Sequence, residues 1–528
     1  MEGQAVSRTK IIIASLGLLL FYLNYEKLQA HFGTDILGAE MVPMEYMETL
    51  YEGKENIYME PEITLNGNGV AYDMEQNMIL IPQNMSVENL EGSLKVPDGK
   101  LYFAEDKALS QKATAIEENR VFRLFWIREE QWWMYNVYFT GMPVMNISSE
   151  TEANEQGIIY GMVEVSDPYH SSFGFQSSSG NWHLRGATTL SYDKKSYRLT
   201  IDKKMSLLGM REDDDWILHA LYDDDGMIHN MLSYALWQEI AKDNQVQNDE
   251  GIHMEYVELF MDQEYLGVYG LSERVDKKTL NLSNKDILYK GKNQNDFWED
   301  DFYSELTDEM NPSFVWKYPQ DFTMGDWNPL KKWTDYYCFG GTYEYEEGKA
   351  LLNMENAIDY NLFNLLICGG DNIMKNIYFR ADYQADGSYQ FVKIPWDLNM
   401  TWGNSWIDDY NCNFNRYQEK NIMSSAGWTP DVEALYEQNP EEIGGLLYNR
   451  WQKLREDIIT KEALYEKVDS LFEYLYASGA YARNAQKWPT KGEYWSDSYL
   501  YEYIDKRIDF LDNYIKQLSV GEENELQT

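Results

Sequence analysis

Asp371, Asn376 and Asp397 are the residues whose types and spacing best suit catalysis, since Asp-Asn-Ile-Met-Lys-Asn precedes two apolar runs and Ile-Pro-Trp-Asp-Leu-Asn follows them. A carboxylate can orient or deprotonate an attacking hydroxyl, while an Asn and an Asp are hard oxygen ligands suited to magnesium on phosphates, so the three together fit phosphoryl transfer. The alternative is plain turn chemistry, with Asp371 and Asn376 as loop residues and Asp397 capping a segment after Pro395.

The flanking elements decide whether the three can meet. Ile358, Leu362, Leu365 and Leu366 follow an i, i+4, i+7, i+8 stripe, which predicts an amphipathic helix stopped by Gly369-Gly370 and puts Asp371 on a loop. Ile377 to Arg380 and Tyr389 to Ile394 predict two strands joined at Ala385-Asp386-Gly387. In such a hairpin Asn376 enters where Asp397 leaves. The D-x-x-x-x-N interval from Asp371 to Asn376 is also that of a protein-kinase catalytic loop, where the metal-binding Asp likewise lies further along the chain.

A second group of candidates is basic. Tyr192 to Ile201 alternates as a strand and carries Lys194 and Lys195 into a chain with 45 basic against 88 acidic residues, a net charge of -43. A lysine after a small-residue turn suits a phosphate grip, and a solvated edge charge is the other reading. Glu273 closes a predicted hairpin (Tyr256 to Phe260, Leu266 to Leu271), where it either contacts a nucleotide or pairs with Arg274 or a nearby lysine.

The acidity is spread along the chain, which argues against nucleic acid or anionic lipid as the main partner. With 528 residues the chain should hold two or three domains. Its three cysteines form no C-x-x-C pair, and its six histidines form no H-E-x-x-H, so a zinc site finds no support. No G-x-S-x-G elbow is present. The aspartate runs at 213–215 and 223–225 lack calcium-loop spacing and read as solvated turns and a helix N-terminus. Arg8 and Lys10 precede the apolar run Ile11 to Leu23. That predicts a signal peptide or signal anchor within residues 1–30, and an extracytoplasmic body, secreted or held at the membrane.

Strand signals at short intervals from 45 to 150 (Met78 to Ile81, Ser93 to Val96, Lys100 to Ala104, Val121 to Ile127, Trp132 to Phe139) predict an Ig-like β-sandwich, with a hairpin turn in Leu65-Asn66-Gly67-Asn68-Gly69. A Ser/Glu/Thr-rich stretch, Ser148 to Glu155, marks its end, and a second domain is expected over 157–415. Residues 416–528 read as helices packed on that domain, the last with a stripe of Leu500, Ile504, Ile508, Leu511, Ile515 and Leu518.

Several segments of the second domain, in order, resemble the CotH family, the spore-coat-H-type atypical protein kinases: LRG with DKKSYRLTI (184–201), LLGM with DDDWILHALYDD and HN (207–230), YLGVYGLSE (265–273) and PWDLNMTWG (395–403). The resemblance implies an α+β chain whose β-sandwich precedes a divergent kinase-like domain with a helical C-terminal part. It further implies ATP with Mg2+ or Mn2+ and transfer of the γ-phosphate to Ser/Thr hydroxyls of a protein acceptor at a spore or cell surface. On that pattern Asp371 is similar to the catalytic acid, Asp397 to the metal-binding Asp and Asn376 to the second metal ligand. Lys195, beside Lys194, is similar to the phosphate-binding lysine, and Arg185 and Glu273 join the nucleotide-binding set. Two positions depart from the family: Asn399 stands where a second Asp is usual, and Trp402-Gly403 where Phe-Gly is common. The ordinary kinase signatures are absent, so a noncatalytic surface or coat protein of this fold, and transfer of AMP in place of phosphate, stay open beside the kinase reading.

Overall fold

The computed structural model describes residues 35–170, 174–293, 313–321, 324–339, 344–404, 428–489 and 497–520. The apolar run from Ile11 to Leu23 lies outside them. Within them no helix is long and apolar enough to cross a membrane.

The chain is mixed α/β. The N-terminal strands form in runs rich in apolar and aromatic residues, at Met78–Pro82, Lys100–Ala104, Phe122–Ile127 and Gln131–Thr140. They do not make an Ig-like sandwich of two antiparallel sheets. They lie in one mixed sheet, in which Met78–Pro82 runs parallel to Gln131–Thr140 and Ala39–Val42 parallel to Lys100–Ala104, with a small three-stranded sheet beside it. Strand spacing locates strands but not their partners; the sandwich expectation presumes hairpin neighbours, and here the chain crosses between pairings. The Asn66-Gly67 turn does join Thr64–Leu65 to Asn68–Gly69, both turn residues having positive φ as a two-residue hairpin requires.

Next comes a closed barrel of seven strands: β1 (Val144–Ser149), β2 (Ile159–Ser166), β3 (Phe175–Arg185), β4 (Ser196–Ser206), β5 (Glu212–His219), β6 (Met254–Met261) and β7 (Glu264–Glu273), in the order β1-β2-β3-β4-β5-β7-β6. Since β1 pairs with β2, the stretch from Ser148 to Glu155 belongs to a hairpin turn inside the barrel. Alternate residues of each strand fill the interior, among them Trp182, Leu199, Trp216, Leu218 and Leu271. Strand β4 starts at Ser196, so Lys194 and Lys195 sit in the turn before it. Helix α1 (His229–Asn244) leaves the barrel between β5 and β6.

The rest of the chain packs on the barrel's outer face and on α1. An antiparallel sheet of β8 (Ile287–Gly291), β9 (Phe314–Tyr318), β10 (Ile377–Tyr383) and β11 (Tyr389–Pro395) has the order β9-β8-β10-β11. Helix α2 (Met354–Ile367) and the C-terminal helices, including Pro440–Leu454, Lys461–Ala477 and Asp497–Ser519, share one buried apolar core with it. The predicted stripe of the last helix is buried in that core from Leu500 to Leu518.

Candidate active site

Helix α2 ends at Cys368, which takes the left-handed conformation before Gly369, and a single 3-10 turn over Gly370–Asn372 then carries Asp371. The β10–β11 register pairs Ile377 with Pro395, which brings Asn376 beside Trp396 and Asp397. Asn372 fastens this junction, donating its amide to the carbonyls of Asn376 (3.0 Å) and Trp396 (2.8 Å). Asn376 and Asp397 both have positive φ, 54° and 58°. Asn and Asp adopt this conformation more readily than other non-glycine residues, and residues held there concentrate at functional sites.

The Asp371 carboxylate accepts from the Lys375 ammonium at 2.9 and 2.7 Å and from the Asn376 amide at 2.8 Å. Burial pushes its pKa up; Lys375 opposes that, and the negative charge of Asp397 adds to it. Asp371 and Asp397 therefore share one electrostatic environment.

Asp397 opens a tight loop that α1 receives. Its backbone N–H donates to the Tyr234 hydroxyl (2.9 Å), and that of Leu398 donates to the Asn230 side-chain oxygen (2.7 Å). Asn399, the position that departs from the family, donates its amide to the Asp223 carboxylate at 2.8 Å. Burial, then the charge of Asp397, pushes Asp223 up to about 6 against that bond. Asp223 is thus a second acid of the site. Downstream, Gly403 has φ +91, and a Cβ there would lie 1.9 Å from the Tyr499 hydroxyl, so the loop can close on the last helix only with glycine.

Facing these acids is a group of cations. The Arg185 guanidinium lies 5.6 Å from the centre of the Trp396 ring, and the Lys290 ammonium lies at 5.6 Å from the same ring and 5.7 Å from that of Tyr378. Burial pulls Lys290 down to about 8; Asp397 opposes this, while Arg185, Lys317 and Arg274 push the same way as burial. Arg274 and Arg198 share one counter-ion, Asp215, at 3.1 and 3.0 Å. Register explains the gathering. Arg185 pairs with Ser196, and Ser272, which bonds to His219, shares their outward barrel face; the His219 ring lies 5.7 Å from that of Trp396.

The structure therefore brings together Asp371, Asn376, Asp397 and Arg185. It does not bring Lys194, Lys195 or Glu273 to them. The Lys194 ammonium is buried on the Val268 carbonyl (2.5 Å), the Asn484 side-chain oxygen (3.0 Å) and the Tyr269 ring, and burial pulls its pKa well down. Lys195 closes its own turn on the carbonyls of Leu190 (2.8 Å) and Tyr192. Glu273 shares the face of Trp216, its register partner, opposite to that of Ser272, and holds Arg211 (3.1 Å) and the His253 ring (3.2 Å). Pairing with an arginine, one of the fates open to it, is what occurs, with Arg211 in place of Arg274. Sequence reasoning missed Asp223, hidden in an aspartate run, and Lys290, whose signal was a lone charge in the apolar strand Ile287–Gly291.

The site's donors fit a divalent cation that arrives with phosphates. Asp397 repels Asp223, Asn399 bonds to Asp223 and Asn376 bonds to Asp371, and carboxylates and side-chain amides of this kind carry hard oxygen donors. Among the described residues no three His, Cys, Asp or Glu side chains gather to hold an ion alone. A magnesium site on a nucleotide needs only one or two carboxylates, because phosphates and waters complete it.

A family model described as CotH kinase protein matches residues 183–517. No curated protein matches the chain.

Proposed function

Because the chain belongs to the CotH kinase protein family, we propose that it is an ATP-dependent phosphotransferase acting on Ser/Thr hydroxyls of a protein, through a divergent kinase-like arrangement of barrel, hairpin and helices. The observation that carries this reading is the meeting of Asp371, Asp397 and Asp223 with Arg185 and Lys290 around Trp396, in a chain whose net charge is -43. A local cationic wall in so acidic a protein is what a polyanionic ligand requires.

Arg185 and Lys290 receive the phosphate oxygens, with Arg274 behind them. Asp397 and Asp223, with the oxygens of Asn376 and Asn399, hold Mg2+ or Mn2+. When bound, the cation neutralises charge on the β- and γ-phosphates. Asp371 accepts the proton of the acceptor hydroxyl as that oxygen bonds to the γ-phosphorus and the bond from γ-phosphorus to the β,γ-bridging oxygen breaks, with ADP leaving. Asn376 and Lys375 orient the Asp371 carboxylate through their hydrogen bonds.

Parallel incubation with γ-labelled and α-labelled ATP and a Ser/Thr-rich protein acceptor tests the proposal. Label from the γ position alone on the acceptor supports it. Label from the α position means AMP transfer, and tight ATP binding with neither label transferred means a noncatalytic protein of the same fold. For location we propose export, with residues 1–30 cleaved or left as an anchor at a spore or cell surface. Full-length unprocessed chain free in the cytosol on fractionation refutes that part.

A further inference from the structure

We infer that Tyr234 and Asn230, on one face of α1, are positioning residues for Asp397, so that α1 sets the affinity of the site for its metal-nucleotide ligand. The inference rests on the reading of Asp397 as a metal ligand.

The loop from Asp397 to Trp402 begins and ends on non-glycine residues with positive φ, 58° and 54°. Backbones of that kind persist only where their surroundings over-determine them. Here the determinants come largely from one helix face. Asp397 N–H donates to Tyr234 Oη at 2.9 Å, Leu398 N–H to Asn230 Oδ1 at 2.7 Å, and Trp402 Nε1–H to Ser233 Oγ at 2.9 Å. Residues 230, 233 and 234 stand at i, i+3 and i+4, so they present neighbouring side chains on one surface. All three are buried, and water cannot replace a lost partner there.

These bonds fix the backbone that carries the Asp397 carboxylate and touch neither the carboxylate nor a metal, so they act as outer partners that orient a ligand. The other end of α1 is tied to the C-terminal helices through Asp243 with Lys453 (2.7 Å) and Glu239 with Lys467 (2.7 Å). The helix therefore joins that bundle to the metal-holding loop.

The test is equilibrium binding of a non-hydrolysable ATP analogue to the full chain across a magnesium titration. Tyr234→Phe and Asn230→Ala are compared with wild type, thermal unfolding checking that each is folded. Both variants should weaken magnesium-dependent binding by about 10- to 100-fold, the usual effect of losing such a partner, while metal-free binding stays unchanged. Tyr256→Phe is the control, since its buried phenol donates to the Met227 carbonyl at 2.7 Å and makes no bond to the loop. It should lose stability without shifting the magnesium midpoint. Wild-type magnesium dependence in either folded positioning variant, or an equal shift in Tyr256→Phe, overturns the inference. Asp397→Ala separates the levels. If it keeps magnesium-dependent binding, the metal-ligand reading falls and the inference with it. If it loses that binding while Tyr234→Phe does not, only the inference falls.

Discussion

Lys290 offers a test of the cationic wall that needs no acceptor protein. Its ammonium is buried beside Trp396 and Tyr378, and burial, with Arg185, Lys317 and Arg274, pulls it down to about 8 although Asp397 pulls the other way. A bound polyphosphate must raise that value, because it adds negative charge where Lys290 now faces positive neighbours. The sign follows by linkage. Below pH 8 the free protein already carries the proton, so binding takes up none and affinity is flat. Above pH 8 binding draws in one proton, and affinity falls until the pKa of the complex is passed. Between about pH 7 and pH 9 the protonated fraction of free Lys290 drops about tenfold, and the Kd for ATP should rise by the same factor. Starting at pH 7 also stays above Asp223, which sits at about 6. Lys290→Met keeps an unbranched apolar side chain, one atom shorter, and removes the charge. It should weaken binding by about 10- to 100-fold, the range for one charged hydrogen bond, and abolish the pH dependence in this window. Calorimetry at constant ionic strength and free magnesium reads both effects. A flat wild-type profile, or the same slope in Lys290→Met, refutes the assignment of Lys290 to the phosphates.

Asp371→Asn should leave ATP affinity nearly unchanged and lower phosphoryl transfer by about 10²-fold or more, measured as γ-label on the acceptor. Asn399→Asp removes the amide that donates to Asp223 at 2.8 Å and adds a third acid beside Asp223 and Asp397. Its thermal midpoint should fall without metal and recover with Mg2+ and nucleotide by more than that of wild type, as thermal unfolding with and without them will record. Arg483→Ala breaks a buried pair in which Glu258 accepts at 2.8 and 2.7 Å and also takes the Tyr265 and Thr140 hydroxyls. Uncompensated burial of Glu258 should cost about 3–5 kcal/mol in chemical denaturation, with ATP affinity unaffected if the protein is kept folded.

The parts of this fold that are legible in the sequence are those governed by local chemistry. The stripe from Ile358 to Leu366 is helix α2, the apolar runs around Ala385-Asp386-Gly387 are β10 and β11, and the Asn66-Gly67 turn closes a hairpin. Asn376 and Asp397 can be found because hairpin geometry joins their positions, Asp371 because a helix stop precedes them closely, and one CotH motif, Pro395 to Gly403, lies in the same stretch. Pairing between distant strands is not legible, which is why strand spacing over 45–150 points to an Ig-like sandwich where a mixed sheet with parallel pairs occurs.

The lysines show why the remainder of the site escapes. In sequence Lys194 and Lys195 lead into one strand and Lys290 lies within another, and strand position alone does not say which ammonium reaches the acids. What separates them is which carbonyls and rings the tertiary fold brings to each ammonium. Two turn inward or back onto their own loop, and one faces Asp397. The same holds for the acids. Asp223 sits in a run of three, and its neighbour Asp224 is occupied by His229 at 2.7 Å, whereas Asp223 meets Asn399 and the field of Asp397. A one-residue difference in chain position becomes a difference between an acid paired with a histidine and the acid proposed to hold a cation. That distinction is set by the register of the turn leading into α1. On the proposed reading, the exchange of a family Asp for Asn399 leaves the site a second carboxylate, because Asn399 donates to Asp223 across the loop.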